Sequence, residues 1–176
     1  MRYNEWVEKG GAVTARIGDP SVKSIIIPVA ISTVPDLCKG GKTATVQTSA
    51  LVDTGASCSA IDKVLAEQLG LISIRKTDVK GVHGSDVVDV FRFSIVFGSI
   101  NIRLPFVTAG DFGNSPFKFL LGMDVLRLGE MYLGQEEQDG KPKGTIFSFS
   151  IPPTGESIDY VDKLNKARRS LAKRNH

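Results

Sequence analysis

The sequence predicts a mainly β domain closed, or nearly closed, into a barrel. Three observations predict it. About nine short segments rich in Val, Ile, Thr and Phe are separated by Gly, Pro, Asn and Asp turns, the spacing of small barrels. Only residues 61–69 carry a firm helical period. The 176 residues are 41% hydrophobic and 23% charged, which is the usage of one globular domain and neither of a disordered chain nor of a fibrous repeat.

Gly10, Gly11 and Gly18 punctuate the start, with a short strand expected over residues 12–17. Residues 24–32 read as a strand in which Pro28 favours an edge or a bulge, because proline donates nothing to a ladder. Residues 33–42, with Pro35, Asp36, Gly40 and Gly41, form a loop that leaves Cys38 exposed. Residues 44–52 make the next strand, ending in Ala50-Leu51-Val52. After Asp53-Thr54-Gly55-Ala56 the period becomes helical at Ile61, Val64, Leu65 and Leu69, with Ser59 as the expected N-cap, Asp62 near the positive helix end and Gly70 as the stop.

Residues 71–80 and 87–96 are extended on either side of a turn at Gly81-Val82-His83-Gly84-Ser85, and residues 100–109 alternate as another strand. A Gly/Pro loop over 110–116 precedes Phe117 to Leu121, Gly122, and a short helical piece over 123–128. Residues 131–135 and 145–151 flank Asp139-Gly140-Lys141-Pro142, a hairpin pattern. Residues 152–176 form a basic tail with a weak amphipathic helix.

The longest purely apolar stretch, residues 25–31, is interrupted by Pro28, far short of the ~20 residues a membrane span needs. The first residues lack the apolar core of a secretory leader, so no membrane partner is expected. Cys38 and Cys58 build no disulfide framework and are too few for a zinc site, which favours a reducing, cytoplasmic setting with no metal and no cofactor. The net charge of +3 conceals a basic tail: six of the last fourteen residues are basic, leaving residues 1–162 with 16 basic against 19 acidic side chains. With no interleaved aromatics, that tail reads as a solvated helix, and a nucleic-acid partner is not expected.

The informative segment is Ala50-Leu51-Val52-Asp53-Thr54-Gly55-Ala56-Ser57. A strand carries an acid to its end, a hydroxyl follows, and Gly55 lets a backbone amide approach the carboxylate. About 65 residues later Phe119-Leu120-Leu121-Gly122-Met123-Asp124 repeats the apolar-to-glycine break, with the glycine-bounded turn 81–85 between them. Over residues 24–128 this order resembles the retropepsin-like aspartic proteases, with Ala56 closer to the retroviral type. The resemblance implies a closed acid-protease barrel with one helix after the active loop and a short interface helix. It also implies an N-terminal extension over 1–23, a protease domain over 24–151 and the tail beyond.

By the same resemblance Asp53 is the catalytic aspartate. Thr54 braces two loops at a dimer axis, Gly55 and Ala56 complete the active loop, and Gly81, Val82, His83 and Gly84 form the flap tip over substrate. Leu120, Leu121 and Gly122 pack beside the active loop, and residues 145–151 are placed to interleave across a dimer. Two departures stand out: Met123 where retroviral enzymes carry Arg, and Ser57 where they tend to carry Asp.

Water-driven peptide hydrolysis needs one ionised and one protonated carboxyl at once. The chain has a single Asp-Thr-Gly; Asp124 follows the other break, and Asp111 lacks a preceding apolar strand. The expected enzyme is therefore a homodimeric aspartic endopeptidase that cleaves a peptide or protein substrate with an Asp53 pair. The competing expectation is an inactive dimerisation or peptide-binding module on the same fold; a third is a nucleic-acid factor acting through residues 163–176.

Overall fold

A computed structural model describes residues 5–19, 21–81, 84–155, 161 and 165. Val82 and His83 of the expected flap tip, and every basic residue of the tail, lie outside the described residues. The chain runs through β1 (Val7–Lys9), β2 (Gly11–Ile17), β3 (Ile25–Ser32), β4 (Thr45–Val52), β5 (Ala60–Asp62), α1 (Lys63–Gln68) and β6 (Arg75–Gly81). It continues through β7 (Gly84–Phe97), β8 (Ile100–Gly110), β9 (Phe119–Leu121), α2 (Met123–Leu126), β10 (Glu130–Gln138) and β11 (Lys141–Ile151).

The hydrogen bonding of the larger sheet closes on itself. Strands β3, β4, β9, β5, β8 and β7 pair in that order, and β7 returns to β3. The mainly β, barrel-like expectation is met by this ring. Alternation along the strands turns Ile27, Ile31, Phe93, Ile95, Ile102 and Leu104 into one buried cluster with Ile61 and Phe119. Each such side chain contributes about 1.5–3 kcal/mol on leaving water. A second sheet, β10-β11-β2, adds Phe147, Phe149 and Ile151 to the same cluster, Phe149 stacking on Phe97 at 5.9 Å. Strands β1 and β2, from the stretch expected as an N-terminal extension, pair with β8 and β11.

Several local expectations shift. Strand β3 is interior, between β4 and β7, but β7 pairs only with Ala30 to Ser32, so Pro28 faces β4 alone and sits at a local edge. Cys38 is buried, not exposed: it bridges to Leu71, and its thiol donates to the Lys42 carbonyl at 2.9 Å. The cap of α1 is Asp62, whose Oδ1 accepts from the amides of Val64 and Leu65; Ser59 lies before a short strand that delays the helix. The hairpin turn is Asp139-Gly140, both at positive φ (54° and 72°), as a two-residue turn between twisted strands requires. Strand β11 is paired on both edges, by β10 and β2, which leaves it no free edge for a strand from another copy. Among the described residues the outer strands of this sheet are β10 and β2.

Candidate active site

The apolar run Ala50-Leu51-Val52 ends β4, and β9 lies parallel beside it, with Ala50 opposite Phe119, Leu51 opposite Leu120 and Val52 opposite Leu121. Both glycine breaks therefore leave the sheet side by side. The Asp53 amide donates to the Leu121 carbonyl at 3.0 Å, and the Met123 amide to the Ala56 carbonyl at 2.8 Å. Leu120, Leu121 and Gly122 thus buttress the loop that carries Asp53.

Asp53 is half-buried at the loop's mouth. Its Oδ1 accepts the Gly55 amide at 2.8 Å, an Asx turn that orients the carboxylate. A Cβ on residue 55 would stand 3.2 Å from that oxygen, so the glycine keeps the approach open. Among the described residues Oδ2 has no hydrogen-bond partner, and neither has the exposed hydroxyl of Thr54.

Ser59 and Asp124 form the tie that sequence reasoning missed. The buried Ser59 hydroxyl donates to Asp124 Oδ1 at 2.7 Å and accepts the Gly122 amide at 3.1 Å; the same Oδ1 also accepts from Val125. Gly122 is pressed so closely on this tie that a Cβ there would come within 2.6 Å of the Cys58 backbone. With Met123 and Ser57 at the two departing positions, this hydrogen bond joins the segment after the active loop to α2. A serine followed three residues later by an acid before a helical run looks like a cap, and that pattern concealed its role.

Beyond the loop, β6 and β7 form a projecting hairpin paired from Arg75–Val90 out to Gly81–Gly84, and Gly84 takes φ 125° at its end. Gly81 and Gly84 are placed at the hairpin tip, with Val82 and His83 between them outside the described residues. A cleft of about 550 Å³ separates the inner arm from the active loop, lined by Gly55, Ala56, Cys58, Thr77, Val79 and Leu120. Asp53 and Thr54 face a second hollow of about 570 Å³, shared with Met131 and Leu133 of β10. Asp111 is no second acid for this site. Its carboxylate takes a hydrogen bond from Lys63 at 2.6 Å, which holds it below the usual carboxylate range. Among the described residues no group of three or more His, Cys, Asp or Glu has the arrangement of a metal site.

Residues 39–125, just under half of the chain, contain the active loop, both hairpin arms and the second glycine break. They match the aspartyl protease family model. The resemblance read from Asp53-Thr54-Gly55 is borne out by that match. Among solved structures, a retropepsin-like aspartic protease from Rickettsia conorii is similar at 18% identity and TM-score 0.45, over 80% of this chain and 94% of that one. The retroviral protease-like domain of Ddi1 from Leishmania major is similar at 19% identity and TM-score 0.41, over 72% of this chain and 92% of that one. The simian foamy virus protease is similar at 19% identity and TM-score 0.38, over 58% and 92%. A comparison with curated proteins finds no significant match.

Proposed function

We propose that the chain is an aspartic endopeptidase that works as a homodimer, with Asp53 and its symmetry mate as the acid–base pair. The observation that carries the reading is the Asp53 loop: a carboxylate at the end of an apolar strand, one oxygen fixed by Gly55 and the other without a partner among the described residues, facing a hollow, while the next residues of the same loop line the cleft. Two such carboxyls facing one another share a single proton, because like charges at that separation resist double ionisation.

The ionised member takes a proton from water as the water oxygen bonds to the scissile carbonyl carbon, while the protonated member donates to the carbonyl oxygen. Collapse of the tetrahedral diol breaks the C–N bond, and the amine leaves with a proton returned by the pair. Substrate enters the cleft as an extended strand, with Val79 against its side chains and the β6–β7 hairpin above it. In this reading Thr54, whose hydroxyl has no partner among the described residues, bonds to its symmetry mate's loop across the two-fold axis.

The test is Asp53→Asn. The variant should fold and dimerise as the native chain does, yet lose peptide cleavage by several orders of magnitude; native cleavage itself should fail as rising pH removes the shared proton. Cleavage undiminished in Asp53→Asn overturns the reading. Peptide binding by the native chain with no cleavage at any pH would instead establish the non-catalytic module.

A further inference from the structure

Outside the cleft, a pocket of about 550 Å³ opens where the active loop ends, sharing Ser57, Cys58 and Phe106 with the cleft wall. Arg75 of β6, Arg92 of β7 and Arg127, just after α2, converge on it. The side chain of none of the three makes an ion pair or hydrogen bond among the described residues, although five other basic side chains do pair with acids. Arg75 is held in place by stacking on the Phe106 ring, 4.8 Å from its centroid. The one acid in the lining, Asp124, is buried, and its Oδ1 is committed to Ser59 and Val125.

We propose that this pocket binds an acidic side chain of the peptide that occupies the cleft, making the three arginines determinants of substrate specificity; the assignment rests on the protease reading above. Three planar guanidiniums converging on one hollow match a carboxylate, which takes two parallel N–H bonds from such a group. Continuity with the cleft wall places the acidic residue on the strand already bound there, to the side of the residues flanking the scissile bond. A polynucleotide fits less well, because residues 1–162 carry 16 basic against 19 acidic side chains, a net charge of −3.

The experiment uses fluorescent peptides that differ only in Glu or Gln at successive positions. Binding is read by anisotropy on the full Asp53→Asn chain, and kcat/KM is read on the native chain. At one position Glu should be preferred about tenfold over Gln, the sum expected of two or three partly exposed ion pairs, and 0.5 M salt should erase most of that preference. Arg92→Gln or Arg127→Gln should bring the ratio toward one, and Arg92→Glu should invert it in favour of a Lys peptide. Equal affinity for Glu and Gln peptides at every position overturns the proposal, as does a Glu preference that survives all the arginine variants. Displacement of the Glu and Gln peptides alike by a single-stranded oligonucleotide also overturns it. The two readings fail separately: cleavage without Glu preference removes the pocket and keeps the protease, whereas Glu-selective binding without cleavage removes the protease and keeps the pocket.

Discussion

Ser59 holds two loops with one hydroxyl, donating a hydrogen bond to Asp124 and accepting one from the Gly122 amide. Removing it leaves a buried carboxylate oxygen with only the Val125 amide, and a buried amide with no acceptor. Leaving such groups unpaired costs about 1–3 kcal/mol each. Ser59→Ala should therefore lower Tm by roughly 5–10 °C for a domain of this size, and Ser59→Thr, which keeps the hydroxyl, should lose less; calorimetry on both variants checks it. A Tm unchanged in Ser59→Ala would mean that water replaces the hydroxyl without cost. Lys63 and Asp111 give a residue-scale prediction in pH. The hydrogen bond from Lys63 lowers the Asp111 pKa from its ordinary 3.8, and the same bond raises that of Lys63 from 10.5. The link contributes fully between those two ordinary values. It is lost as pH falls through the lowered carboxyl value, and again as pH rises through the raised ammonium value. Lys63→Gln should bring the Asp111 carboxyl titration, followed by NMR, back up toward 3.8, with the Gly113 amide keeping it slightly below.

At the scale of elements, the β6–β7 hairpin differs from the ring it springs from. Its arms over residues 75–80 and 84–87 are mostly exposed, whereas β3, β9 and the inner half of β7 supply the buried cluster. Backbone bonds without buried apolar cover open at lower free energy. Amides in those arms should exchange with solvent faster than those of β3 and β4, and a bound peptide should slow them; hydrogen exchange with and without peptide measures both. Protection of the arms equal to that of β3 in the free chain would contradict it. This hairpin was legible in the sequence because its arms alternate and glycines bound its turn, and the active loop was legible because an apolar strand runs straight into Asp53. What escaped was non-local. Ser59 and Asp124 are 65 positions apart and meet only because β4 and β9 lie parallel. Cys38 looked like a loop residue, and it is buried because Leu71 arrives to bridge it. The same non-locality hid the arginine pocket, whose three members come from separate elements.

At the scale of the molecule, the proposed chemistry requires a second copy to supply the other carboxyl, and the surface beside Asp53 offers that copy a place to dock. Met131 and Leu133 of β10 share one face and are 38% and 56% exposed, unusually open for large apolar side chains. They line the same hollow as Asp53 and Thr54, and β10 is an outer strand of its sheet, with one edge unpaired among the described residues. An isologous contact through this face would bring each Asp53 loop toward the two-fold axis. Leu133→Glu places two carboxylates against each other in such a contact while changing nothing in the buried cluster. It should weaken dimerisation by about 3 kcal/mol, a hundredfold or more in Kd. The expected result is a monomer by light scattering at micromolar concentration, with an unchanged circular dichroism spectrum and cleavage that recovers only at high protein concentration. A Leu133→Glu chain that remains dimeric and active would move the interface away from β10; a native chain that is monomeric at every concentration would remove the paired-carboxyl chemistry altogether.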